Sequence, residues 1–171
     1  MPHILIGLAS CQEANVSAPV VRALLAAGHE VRIAWFGSTA EFEQAVALGL
    51  PDADTVIAGD FDDDSRLLQA CEFLNDEWLQ CPIVLSTGYD VFAVALAETA
   101  HERCAKVIRL GAGERVGDVR DAKRRRADHA ADAFCVSTDT QRQQLLNEGF
   151  PEERIAVVGS LVAQVLAEMP E

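Results

Sequence analysis

Short apolar runs alternate with segments of helical period from one end of the chain to the other. The run His3–Leu8 predicts a first strand, and behind it Val16, Val20, Val21, Leu24 and Leu25 recur at the spacing of one helix face, closed by Gly28. Val31–Phe36 predicts a second strand. Ser38 and Glu41 have the spacing of a capping box, so the next helix starts there and ends at Gly49 and Pro51. Thr55–Ala58 predicts a third strand, followed by the acidic turn Asp60–Asp64 and a helix whose face carries Leu67, Leu68, Cys71, Leu74 and Trp78. Ile83–Ser86, Lys106–Leu110, Ala133–Val136 and Ile155–Val158 predict four more strands. An Ala-rich helix at Val91–Cys104, a basic helix around Lys123–Arg126 and a helix capped by Thr138 and Gln141 and ended near Gly149 stand between them. A short helix starts from Ser160.

Strict alternation of β and α elements, with strands apolar along their whole length, calls for a parallel sheet covered on both faces. Right-handed crossovers make that sheet doubly wound. The 171 residues fit one such unit, so the expectation is a single Rossmann-like α/β domain over 1–171. No internal repeat or low-complexity linker interrupts it.

Charge narrows the partners. The formal net charge of −13 argues against nucleic acid and anionic membranes, both of which need a positive surface. No apolar run approaches the roughly 20 residues that span a bilayer. Five cysteines (Cys11, Cys71, Cys81, Cys104, Cys135) form no CxxC pair, so reduced thiols in a cytoplasmic protein are expected and a zinc site is not. The Asp60–Asp64 cluster lacks the glycine and distal glutamate of an EF-hand loop and reads as a solvated turn, leaving no metal site. No cofactor is expected either: GxGxxG does not follow the first strand, and Phe36-Gly37-Ser38 stands where a dinucleotide fold places an acid.

Ligands of open parallel sheets bind beyond the carboxyl ends of the strands. Three loops lie there: Ala9–Glu13, Thr87–Asp90 and the glycine-rich stretch 111–118. Gly111, Gly113 and Gly117 allow backbone N–H groups to approach an anion or sugar, or simply make a turn. Arg115 is placed to pair with a phosphate or with Asp118. Cys11 lies near a helix N-terminus without a base beside it in sequence. His129 is a candidate acid–base group or a structural histidine between helix and sheet, and Lys123–Arg126 a salt-bridging run or an anion-binding one.

The stretch Gly113-Glu114-Arg115-Val116-Gly117-Asp118, followed by Arg124–Asp132, resembles the AGLRTGD loop and NRxxxDHxAD helix of the non-hydrolysing UDP-N-acetylglucosamine 2-epimerases. Val136–Thr140, Gln144–Gly149 and Arg154–Ser160 extend the likeness through that family's PTE-T and ERIxVTGN segments. Toward the front it is looser: Glu13-Ala14 and Ala18-Pro19 fall in the GTRPEAIKMAP stretch, and Val84–Asp90 in VHGDT.

The resemblance implies the first Rossmann-like half of a two-domain GT-B architecture, with a UDP-sugar in the cleft between halves. It carries Glu13, Arg115, Asp118, Arg124 and His129 onto matching positions. It also exposes departures. Cys11 and Val16 replace the family's basic residues, Tyr89 and Gly111 replace its catalytic aspartate and glutamate, and Val119-Arg120-Asp121 shortens the segment of its further acidic pair. The implied ligand set is Ser10, Glu13, Gly88, Gly111, Gly113, Arg115 and Asp118, with Glu13, Asp90 and His129 as the remaining catalytic candidates. The implied function is a nucleotide-sugar-binding half of a split or truncated enzyme, inactive alone, with a second GT-B-like chain as partner. A non-catalytic binding or scaffolding homodimer and an excised domain of a longer protein stay open beside it.

Overall fold

A computed structural model describes residues 3–57 and 82–160. The acidic turn Asp60–Asp64, the helix of Leu67–Trp78 and all but the first residue of the helix from Ser160 lie outside the described residues. Numbered in chain order, the described elements are β1 (His3–Leu8), α1 (Cys11–Ala26), β2 (Glu30–Trp35), α2 (Thr39–Ala47), β3 (Asp54–Ile57), β4 (Ile83–Ser86), α3 (Val91–Glu102), β5 (Lys106–Leu110), α4 (Asp121–His129), β6 (Ala133–Val136), α5 (Asp139–Asn147) and β7 (Ile155–Val157). The strands form one sheet in the order β3-β2-β1-β4-β5-β6-β7, every pair parallel. This is the doubly wound Rossmann-like arrangement that the alternation predicts.

Period-two alternation divides the core between the two faces of the sheet. Ile4, Ile6 and Leu8 of β1 join Ile33 and Trp35 of β2 and Val21 of α1 on one face. Leu5 points the other way, to Phe92 and Leu96 of α3, with Val107 and Phe134 beside them. Helix starts follow from side-chain caps. Ser38 and Glu41 close a reciprocal box on α2, as do Thr138 and Gln141 on α5, while Asp90 Oδ1 accepts from Ala93 N–H at 2.7 Å to start α3.

α4 is built differently. Its buried face carries Asp121, Arg124 and Asp128 around the small Ala127. Spacings of three and four put those charges on one side of the helix. The basic run is therefore not uniformly solvated: Arg124 turns inward, while Arg126 reaches out to Glu98 at 2.7 Å and Arg125 to Glu148 at 3.4 Å.

Candidate functional site

β1, β4 and β5 are neighbours in the sheet, and the order reverses between β1 and β4. A loop leaving β1 runs to one side there and a loop leaving β4 to the other, which opens a crevice at their carboxyl ends. A cleft of about 440 Å³ occupies that place, walled by all three strand-end loops. Of the residues singled out in the sequence, Ser10, Glu13, Val16, Gly88, Tyr89, Asp90, Gly111, Gly113, Arg115 and Arg124 line it. Asp118 and His129 do not. Asp118 holds Arg120 at 2.6 Å and Arg124 at 3.3 Å. The His129 ring leans on Phe150, 5.2 Å between centroids, and borders a separate groove with Glu98 and His101.

The first wall is the start of α1. Ser10 is the N-cap, and its hydroxyl accepts from Glu13 N–H at 3.2 Å. The Glu13 carboxylate reaches back past the cap to accept from Ala9 N–H at 2.8 Å. Ser10-x-x-Glu13 is thus a third capping spacing in the chain, and it places a carboxyl on the cleft floor. Burial, joined by the nearby charge of Asp90, raises the Glu13 carboxyl from 4.5 to about 7, although Ala9 N–H and Arg109 pull the other way.

The second wall, 87–90, is fitted to that carboxyl. Gly88 sits at φ +66°, and a Cβ there would overlap Glu13 Oε1. Both the left-handed backbone and the close approach therefore call for glycine. Thr87 donates to Gly7 C=O at 3.4 Å, and Tyr89 lies against the Arg124 guanidinium, 4.1 Å from its ring centre.

Beneath both walls lies Arg109, a residue the sequence reading passed over. It is only 3% exposed. Its guanidinium donates to Gly88 C=O at 2.7 Å, to Ser86 Oγ at 3.1 Å and to Asp128 at 3.4 Å. Burial pushes its pKa below the ordinary arginine value, against Asp128 and Glu13, which hold it up. A signal existed: Arg109 has the same parity in β5 as the buried Val107, so alternation puts it on an inward face.

The third wall is 111–118. Gly111 N–H is taken by Cys135 C=O at 2.9 Å, and Gly113 backs onto the Gln141 carbonyl too closely for a Cβ. Arg115 pairs not with Asp118 but with Asp128 at 2.9 Å and Glu148 at 2.6 Å, because α4 and α5 bring those carboxylates to it from opposite sides. Burial opposes its charge, but the two acids outweigh burial and hold its pKa above the ordinary value. Asp121 folds back to accept from Val116 and Gly117 N–H and pairs with Arg124 at 2.9 Å. Arg124 Nε is buried without a hydrogen-bond partner.

A family model described as UDP-N-acetylglucosamine 2-epimerase matches residues 65–170, more than half of the chain. The chain belongs to that family. Solved structures agree on the fold. One epimerase structure superposes with a TM-score of 0.85 at 18% identity, covering 97% of this chain and 50% of that one. The Neisseria meningitidis UDP-GlcNAc 2-epimerase, solved bound to UDP-GlcNAc, gives 0.83 at 20% identity, covering 96% of this chain and 48% of that one. The Methanocaldococcus jannaschii enzyme, in complex with UDP-GlcNAc and UDP, gives 0.81 at 21%, covering 97% and 49%. This chain therefore spans about half the length of the epimerases it matches. No curated protein matches it.

Among the described residues, no helix is long and apolar enough to cross a membrane. No group of three or more His, Cys, Asp or Glu there could hold a metal ion. Cys11, Cys104 and Cys135 are free thiols. What the cleft offers is backbone and hydroxyl hydrogen-bonding groups, one carboxyl poised near neutrality, and arginines already engaged by internal acids.

Proposed function

We propose that this cleft is one wall of a nucleotide-sugar site, and that the chain does not epimerise by itself. The observation that carries the reading is the convergence of the β1, β4 and β5 loops on one crevice at the sheet's reversal, in a chain of the epimerase family. Ser10, Glu13, Gly88, Gly111 and Gly113 are the contacts we assign to the ligand. Arg115 stands behind them as an anchor of the third wall, and Asp118 and His129 support α4 and its surroundings.

The chemistry present supports inactivity in isolation. Epimerisation next to an anomeric carbon needs groups that remove and return a proton and groups that balance the charge of a departing diphosphate. Arg109 and Arg115 both donate to internal acids and carbonyls. The opposite wall is then supplied by a second Rossmann-like unit, in the same polypeptide or in a partner chain. The free thiols are in keeping with a cytoplasmic setting.

The test is a titration of UDP-GlcNAc into the isotope-labelled chain, followed by amide chemical shifts. The expected result is saturable movement of the Ser10, Gly88 and Gly111 signals with Asp118 and His129 still. Shifts confined to other surfaces, or none at millimolar ligand, would leave a binding or scaffolding module without a sugar site.

A further inference from the structure

Glu13 occupies an unusual position for a capping residue. One oxygen closes the turn at Ala9 N–H, while the other lies against Gly88 in the cleft, where no side chain can follow. The groups facing it come from each neighbouring element: Asp90 from the start of α3, and Arg109 from β5 beneath the Gly88 carbonyl. Asp128 of α4 meets that same guanidinium from behind, and Arg115 beyond it is tied to Asp128 and Glu148. The nearest arginine thus shares its charge with other carbonyl and carboxylate oxygens. An anion entering this cleft therefore meets Glu13 and Asp90 alongside arginines, Arg109 and Arg124, that Asp128 and Asp121 already engage.

We propose that Glu13 is the proton-exchanging contact of the cleft: it binds the ligand as the neutral acid, donating its O–H to a ligand oxygen, so that binding takes up one proton from solvent. Asp90 and Arg109 are positioning residues for it, one opposing ionisation and the other fixing the Gly88 carbonyl and the loop that holds the carboxyl in place. This rests on reading the cleft as a nucleotide-sugar site. The physical reason is linkage. An anionic diphosphate ligand disfavours a nearby carboxylate and favours its protonated form, and whatever stabilises the protonated form on binding makes binding stronger at low pH. A group that titrates near neutrality in the free chain makes the coupling visible in an ordinary buffer range.

The experiment measures the affinity of UDP-GlcNAc between about pH 5.5 and 8.5 in the unmodified chain and in Glu13→Gln and Asp90→Asn variants. The diphosphate of this ligand is a diester and does not titrate in that interval. In the unmodified chain, affinity should fall about tenfold per pH unit once the pH passes the Glu13 midpoint. Glu13→Gln keeps an acceptor for Ala9 N–H and a neutral donor in the cleft, so its profile should be flat and close to the low-pH affinity. Asp90→Asn keeps the α3 cap and removes the opposing charge, so the fall should begin at lower pH. A carbon-13 titration of the Glu13 carboxyl checks the midpoint directly, and ligand should move it upward. Binding with a flat profile, or a slope that persists in Glu13→Gln, overturns this proposal and leaves the nucleotide-sugar reading standing. Absence of binding at every pH in the unmodified chain sets aside both.

Discussion

The two sides of the cleft use charge in opposite ways. On the 111–118 and α4 side, arginines and acids close on one another: Arg115 with Asp128 and Glu148, Arg124 with Asp121 and Asp118. Those charges hold backbone in place. On the α1 and 87–90 side a single carboxyl, Glu13, is tied to a backbone N–H and sits beside another acid, so its protonation is held near balance. Charge that is matched builds structure, and charge that is held off balance remains available to respond to a ligand or to pH. The second side is the one to which we assign the ligand-responsive group.

Several substitutions would break or sharpen that contrast. The largest effect should come from Asp128→Asn, which leaves Arg109 buried and Arg115 short of a partner. Unpairing a buried charge costs about 3–5 kcal/mol, to be read from urea denaturation, and a loss well below that would mean the α4 side is not held by charge. Gly88→Ala forces a side chain into a left-handed backbone and against Glu13, at a cost of about 1–3 kcal/mol, and should swing the carboxyl out of the cleft. Glu13 itself gives a pH signature. Its folded carboxyl binds a proton more tightly than the ordinary value of 4.5 allows, so its contribution is complete below 4.5 and is lost as pH rises toward about 7. Stability measured by denaturation should therefore decline across that window, by at most about 1.4 kcal/mol per pH unit, and Glu13→Gln should remove the decline. The smallest effect belongs to the exposed pair of Arg126 and Glu98. Arg126→Ala should cost about 0.2–1 kcal/mol and should cost less still in high salt.

The fold was legible almost throughout because it rests on patterns that are local in sequence. Continuous apolar runs became β1, β4, β5 and β6 with the expected bounds, and the Ser38 and Thr138 boxes start α2 and α5 as their spacing predicts. Even the cleft was legible as a place, since strand-end loops meet wherever the sheet order reverses. The pairing inside it was not. Arg115 and Glu148 are 33 positions apart, and nothing local distinguishes Glu148 from Asp118 as the partner. Arg109 stands in an apolar strand as a charge with no visible companion, because its companions arrive from β4, the 87–90 loop and α4. Spacing fixes which face a side chain takes, but only the packed helices decide which opposite charge it meets.

The chain of contacts from Gly88 through Arg109, Asp128 and Arg115 to Glu148 also bears on how this half of the sheet comes undone. Peeling α4 away alone would strand two arginines, and releasing α5 alone would strip Arg115 of its strongest partner. Partial openings are thus penalised more than joint ones, so β5, α4 and α5 should exchange their amide hydrogens as a single cooperative block, with one shared opening free energy.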